Sequence, residues 1–195
     1  GVQKMIRADK GSSGVMFSID TESGFRNVVL INSIYGLGEN IVQGRANPDE
    51  FLVFKPTLEL GFASIIKKTL GDKNVRMVYR PAQTQSSKLK AQNFGVPSGQ
   101  ISGTMNVAVP KEEQIKYSLT DKEVLELARY AVEIEKHYKK PMDIEWAKDG
   151  VDKKLYIIQA RPETVKSQKD VMVVEEYKLK NRSKVLVSGI PVGEK

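Results

Sequence analysis

The chain has 195 residues, with 40% hydrophobic and 28% charged side chains and a formal charge of +7. That balance fits a globular domain, and the absence of cysteine excludes disulfides and thiolate metal sites. No apolar run reaches the length needed to span a bilayer, and the first ten residues, GVQKMIRADK, do not read as a secretory leader. Lys and Arg sit beside Asp and Glu, as in KEEQIK and EIEKHYKK, so the basic charge reads as a mixed, solvated surface with no nucleic-acid motif.

In chain order, VQKMI alternates as a strand from the second residue, so the chain is expected to begin inside a longer protein. DKGSSG is a turn, VMFSI a short strand and DTESG another turn. NVVLINS has β-branched strand composition. GLGENIVQG follows, with glycines at 36, 38 and 44. Gly36 and Gly38 suit either a tight turn or close backbone approach to a phosphate. Glu39 beside them faces solvent or a metal. The segment lacks the Gly-Lys-Ser/Thr of a P-loop and is not GxGxxG.

DEFLVFKP reads as a strand ended by Pro56. SIIKKTLG and NVRMVYRP read as two arms of a hairpin around Gly71 and Asp72. Residues 82–103 are polar with no clear period, and are expected to form a loop.

One helix is well marked. Thr120 and Glu123 form a capping box, and Val124, Leu127, Ala128, Ala131, Ile134 and Tyr138 recur at helical spacing. Lys136, Lys139 and Lys140 suit its C-terminal dipole, and Pro141 stops it. His137, the one histidine, lies near that end, where capping or packing is the expected role. After Thr164 a polar linker leads to further strand-like runs, read as the start of a second domain (boundaries 1–166 and 167–195).

DIEWAKDGVDKKLYIIQARPET carries the chemistry-bearing pattern. Strand side chains alternate faces. A turn near Asp152 places Glu145 across from Gln159, with Arg161 one step along on the same face and Trp146 on the other, toward a core. A carboxylate and an amide oxygen suit a hard cation such as Mg²⁺, and a guanidinium suits phosphate. The same residues also fit an ordinary surface ion pair.

Four blocks go further. MIRADKGSSGVMFSIDTESGF, SIYGLGENIVQGRANPDEFLVFKPTL, LTDKEVLELARYAVEIEKHYKKPMDIEWAKDG and LYIIQARPETV resemble the pyruvate, phosphate dikinase family, and within it the phosphoenolpyruvate synthase branch. They occur in family order and cover most of residues 2 to 165. The resemblance implies the C-terminal half of an ATP-grasp nucleotide-binding domain. Its fold would be α+β: a mostly antiparallel sheet with one dominant helix, followed by a truncated β tail that opens a swivelling phosphohistidine domain.

The resemblance also implies a function. Such enzymes turn ATP, pyruvate and water into phosphoenolpyruvate, AMP and phosphate through a phosphohistidine, in the cytoplasm. Glu145 and Gln159 match metal- and phosphate-binding positions for Mg²⁺ and ATP, and Arg161 matches the phosphate-contacting, catalytic arginine. Gln3 and the Lys4–Met5 backbone would lie near the adenine.

The chain carries neither the opposing lobe, the phosphohistidine motif nor the pyruvate-binding barrel of that family. One lobe supplies only part of the contacts, so the chain alone is expected to be inactive. The acceptor could be that of a pyruvate, phosphate dikinase or a rifampin phosphotransferase, and an inherited, non-catalytic scaffold is a further reading. Unpaired strand edges leave homo-oligomer formation open.

Overall fold

The computed structural model describes residues 1–80 and 103–164. The expected loop at 82–103 lies almost wholly outside them, and so does the proposed second domain beyond residue 166. The described part is mixed α+β, with a mostly antiparallel sheet, as expected.

Six strands form the main sheet: β1 (Ser12–Phe17), β2 (Val28–Tyr35), β3 (Asp49–Phe54), β4 (Ile65–Thr69), β7 (Met142–Lys148) and β8 (Leu155–Pro162). Their order is β4-β3-β2-β1-β7-β8, every pair antiparallel. A separate pair, β5 (Val75–Tyr79) with β6 (Thr104–Ala108), stands beside it. The arms read as one hairpin around Gly71 therefore belong to different sheets, β4 pairing with β3 and β5 with β6. Gly71 is pressed against the chain at Asn47 and Pro48, where a Cβ would meet Pro48 O at 2.2 Å. This contact, which sequence spacing does not show, turns the chain away from β4.

The core lies on one face of the sheet, under α4 (Asp121–Tyr138). Val29, Ile31, Phe51, Val53, Met16, Ile144 and Trp146 point there and meet Val124, Leu127, Ala128 and Ala131 of the helix. Burial of each large side chain stabilises the fold by about 1.5–3 kcal/mol. The capping box forms as read: Thr120 Oγ1 accepts from Glu123 N at 3.4 Å, and Glu123 Oε2 from Thr120 N at 2.9 Å. The helix ends on Lys139, whose φ of 55° is left-handed, two residues before Pro141. Tyr138 is outside the apolar stripe, being 55% exposed, because the helix has run past the sheet by then; Val132 is buried instead.

Three short helices punctuate the loops: α1 (Glu39–Val42), α2 (Lys55–Glu59) and α3 (Lys111–Gln114). Pro56 does not stop β3 directly. The strand ends at Phe54 and Pro56 opens α2, where a missing N–H costs nothing.

VQKMI is not a strand. Residues 1–7 are irregular coil, followed by a 3-10 turn at Ala8–Lys10. Its alternation pairs with no strand among the described residues.

A fully buried ion pair joins Asp49, at the start of β3, to Lys73, just before β5. Asp49 also accepts from Ser118 N at 2.8 Å and from Gly71 N at 3.0 Å. Lys73 donates further to Gly71 O at 2.9 Å. A buried charge without such partners would cost several kcal/mol. The network fixes the base of the β5–β6 pair against the main sheet.

Candidate functional site

The face of the sheet opposite α4 carries the site. Register alone sets its first part. Glu145 pairs with Gln159 and Asp143 with Arg161, while Val15 of β1 lies on the other side of Glu145. Directly paired residues share a face with Cβ atoms about 4.5–5.5 Å apart. The carboxylate, the amide and the guanidinium expected together thus stand on one surface. A β-bulge between Glu145 and Trp146 adds Ile158 to β8. It breaks the simple alternation that would place Ile157 on the face of Gln159. Trp146 is 1% exposed and packs in the core, as expected.

Arg161 is not free. Its Nε and Nη2 donate to Asp143 Oδ2 at 2.8 and 2.7 Å. The Asp143 hydrogen bond and charge, with Glu145 adding a smaller contribution, push the guanidinium pKa further up. The guanidinium still reaches water, since its side chain is 65% exposed against 15% for Asp143. Alternation along DIEW puts Asp143 on the face of Glu145, and the strand register brings it to Arg161. Its signal is the i, i+2 spacing of two acids in DIEW.

Beside Glu145 opens a cavity of about 440 Å³. Gln3 and Met5 line it from the N-terminal coil, Ser13 and Val15 from β1, and Glu145 and Ala147 from β7. Leu37, Gly38, Glu39 and Val42 close another side, and Tyr79 reaches in from β5. Gln159 and Arg161 lie outside this lining, farther along the same face. The cavity therefore unites Gln3, Met5, Glu39 and Glu145, and sets the other two at its border.

The glycine segment is stitched in place. Gly36 N donates to Gly11 O at 3.1 Å, Ser13 Oγ donates to Gly36 O at 2.6 Å, and Leu37 N donates to Met77 O at 2.9 Å. Gly36 has φ 81°, and a Cβ there would lie 2.4 Å from Met77 O. Packing against β5 thus accounts for this glycine. Glu39 stands at the cavity wall and accepts from Gln43 Nε2 at 2.6 Å. His137 is remote from the site and stacks edge-on against Tyr138, with ring centroids 4.8 Å apart.

Side chains anchor the coil that bears Gln3 and Met5. Lys4 Nζ donates to Asp152 Oδ2 at 2.9 Å and to Tyr156 Oη at 2.8 Å, and lies 4.7 Å from the Tyr156 ring centroid. Arg7 N donates to Asp149 Oδ2 at 3.4 Å, and Gly150 N donates to Arg7 O at 3.0 Å. Gly150 permits this contact, since a Cβ there would sit 2.2 Å from Lys10 O. Tyr79 Oη donates to Met5 Sδ at 3.2 Å. None of these contacts is written in the spacing of VQKMI.

For a divalent cation, the face offers the oxygens of Glu145 and Gln159. No cluster of three or more His, Cys, Asp or Glu with metal-binding geometry occurs among the described residues. Two protein oxygens, completed by phosphate and water, suit magnesium, which keeps much of its own hydration. The donor set fits that ion and does not fit a closed structural site.

An apolar cavity walled by a coil, with an acid in its lining and an amide and an arginine farther along the same face, offers the groups that a nucleotide needs. The comparisons place it more closely. Residues 1–181 match the model of the pyruvate phosphate dikinase AMP/ATP-binding domain, and the chain belongs to that family. It is 52% identical over 99% of its length to a phosphoenolpyruvate synthase of Synechocystis, and covers 22% of that protein. Identity is 51% to the phosphoenolpyruvate synthase of Escherichia coli K12, over 100% of this chain and 22% of the relative. For Neisseria meningitidis the figures are 49%, 100% and 23%. The chain thus spans about a fifth of the relatives it matches.

Proposed function

We propose that this chain forms part of the ATP site of a phosphoenolpyruvate synthase, an enzyme that phosphorylates pyruvate with ATP and water. In this reading residues 1–166 act as one half of the nucleotide domain and residues 167–195 begin the next, while the family match itself runs on to residue 181. The opposing lobe, the phosphohistidine and the pyruvate site are assigned to parts of the protein beyond this chain. The names of the relatives favour this acceptor over that of a dikinase or a rifampin phosphotransferase, and the retained Glu145, Gln159 and Arg161 set speaks against a mere scaffold.

The observation that carries the reading is the pairing of Glu145 with Gln159, and of Asp143 with Arg161, on one face beside the cavity. In this reading the nucleobase enters the cavity against the backbone of residues 3–5. The triphosphate extends along the face toward Gln159 and Arg161. Glu145 and Gln159 are the residues that would hold Mg²⁺. A bound magnesium ion supplies positive charge that neutralises the phosphate oxygens. Arg161 turns part of its planar fork from Asp143 to a phosphate, and steadies the charge as the phosphoryl group leaves. Phosphoryl transfer depends mainly on such positioning and charge. The apolar wall of Val15, Leu37 and Val42 excludes water from the base.

Titration of MgATP into a longer chain that carries the complementary lobe, followed by sizing, tests the reading. Saturable binding that Glu145→Gln weakens supports it. Association into oligomers with no nucleotide bound would favour the scaffold instead.

A further inference from the structure

We propose that Lys4 is a positioning residue for the nucleotide: its ammonium clamps the coil of residues 3–5 to the β7–β8 turn, and so holds that coil as a wall of the cavity. The inference rests on the nucleotide reading above and adds a residue to it.

Four observations converge. The coil lines the cavity through Gln3, Lys4 and Met5, yet has no secondary structure. Among the described residues, no backbone hydrogen bond ties the amides or carbonyls of Gln3, Lys4 or Met5 to the rest of the fold. Within the described residues, then, side chains set the course of this coil. Lys4 supplies what the backbone lacks. Its Nζ meets Asp152 at 2.9 Å, Tyr156 at 2.8 Å and Asp149 at 3.8 Å, with the Tyr156 ring beneath it.

The far end of the clamp is itself rigid. Tyr156 Oη also donates to Asp152 Oδ2, and Asp152 Oδ1 accepts from Lys154 N at 2.9 Å. Asp149 is 2% exposed and accepts from Val151 N at 2.7 Å. Tyr156 belongs to β8 and pairs with Ala147, two residues from Glu145. One side chain therefore couples the base-facing coil to the strands that carry the metal- and phosphate-facing groups. An ammonium with two acceptors, a second carboxylate nearby and a ring face is a stronger anchor than a lone exposed ion pair.

The test compares Lys4→Met and Lys4→Arg with the wild-type chain, joined to its complementary lobe, by backbone NMR order parameters and by MgATP titration. Expected for Lys4→Met are lower order parameters at residues 3–5, an unchanged melting midpoint, and MgATP affinity about three- to fivefold weaker. Lys4→Arg should restore both order and affinity. Unchanged order parameters in Lys4→Met overturn the clamp. Lower order parameters with unchanged affinity overturn the positioning role. A wild-type protein that binds no MgATP overturns the nucleotide reading itself, and this role of Lys4 with it, whatever the order parameters show.

Discussion

Two stretches meet at the cavity, the β7–β8 hairpin and the coil of residues 1–7, and different forces fix them. The hairpin is held by a seven-pair ladder with one bulge, and its inner face by Ile144 and Trp146 in the core. Its functional side chains take their places from register, which a one-residue slip would reverse. The coil has no ladder and little burial; Val2 and Met5 are largely exposed. It keeps its course through side chains, Lys4 and Met5, and through the contact between Arg7 and Gly150. Under the proposed function, the metal- and phosphate-facing groups thus sit on the rigid element, and an adaptable wall on the loose one.

The sharpest way to break that contrast is to attack the hairpin from its buried side. Trp146→Ala is expected to lower stability by about 3–5 kcal/mol, read as a shift of the urea midpoint, because it empties a core position. No substitution in the coil should approach that figure.

The next largest effect is functional. In the whole enzyme, Gln159→Ala or Arg161→Ala should lower turnover about 100-fold or more with folding intact. Near-normal turnover would remove those residues from the chemistry.

A smaller effect tests the support behind the hairpin. Thr120→Ala removes the capping hydroxyl of α4 and should cost about 1 kcal/mol, read by thermal melting, with nucleotide affinity unchanged.

The smallest concerns the coil. A hydrogen bond from Tyr156, then one from the Lys154 amide and one from Lys4, lower the pKa of Asp152. The Val151 amide does most to lower that of Asp149. A depressed carboxylate contributes stability above its unfolded value and loses it as pH falls through the folded one. The clamp should therefore hold through pH 4, at the ordinary carboxylate value, and release only in stronger acid. Amide chemical shifts of residues 3–7 followed during acidification would check this, and release near pH 5 would contradict it.

The same contrast explains what the sequence made legible. The period-2 alternation of DIEW and LYIIQAR, with the turn near Asp152, was enough to place Glu145 opposite Gln159. The capping box at Thr120 likewise marked the start of α4, and the resemblance of four motif blocks indicated the family. Local pattern failed where distant chain decides. VQKMI alternates like a strand, but pairs with no strand among the described residues. The two apparent arms around Gly71 are separated by the contact with Pro48 and by the Asp49–Lys73 pair, neither of which adjacent residues reveal. Tyr79 and Tyr156 were missed for the same reason, since each acts on a residue more than seventy positions away.

The Asp143–Arg161 pair gives the guanidinium a counter-ion of its own. Under the proposed function, a phosphate would have to compete with a carboxylate already in contact, and the return of Asp143 to the fork would act as a spring that favours release.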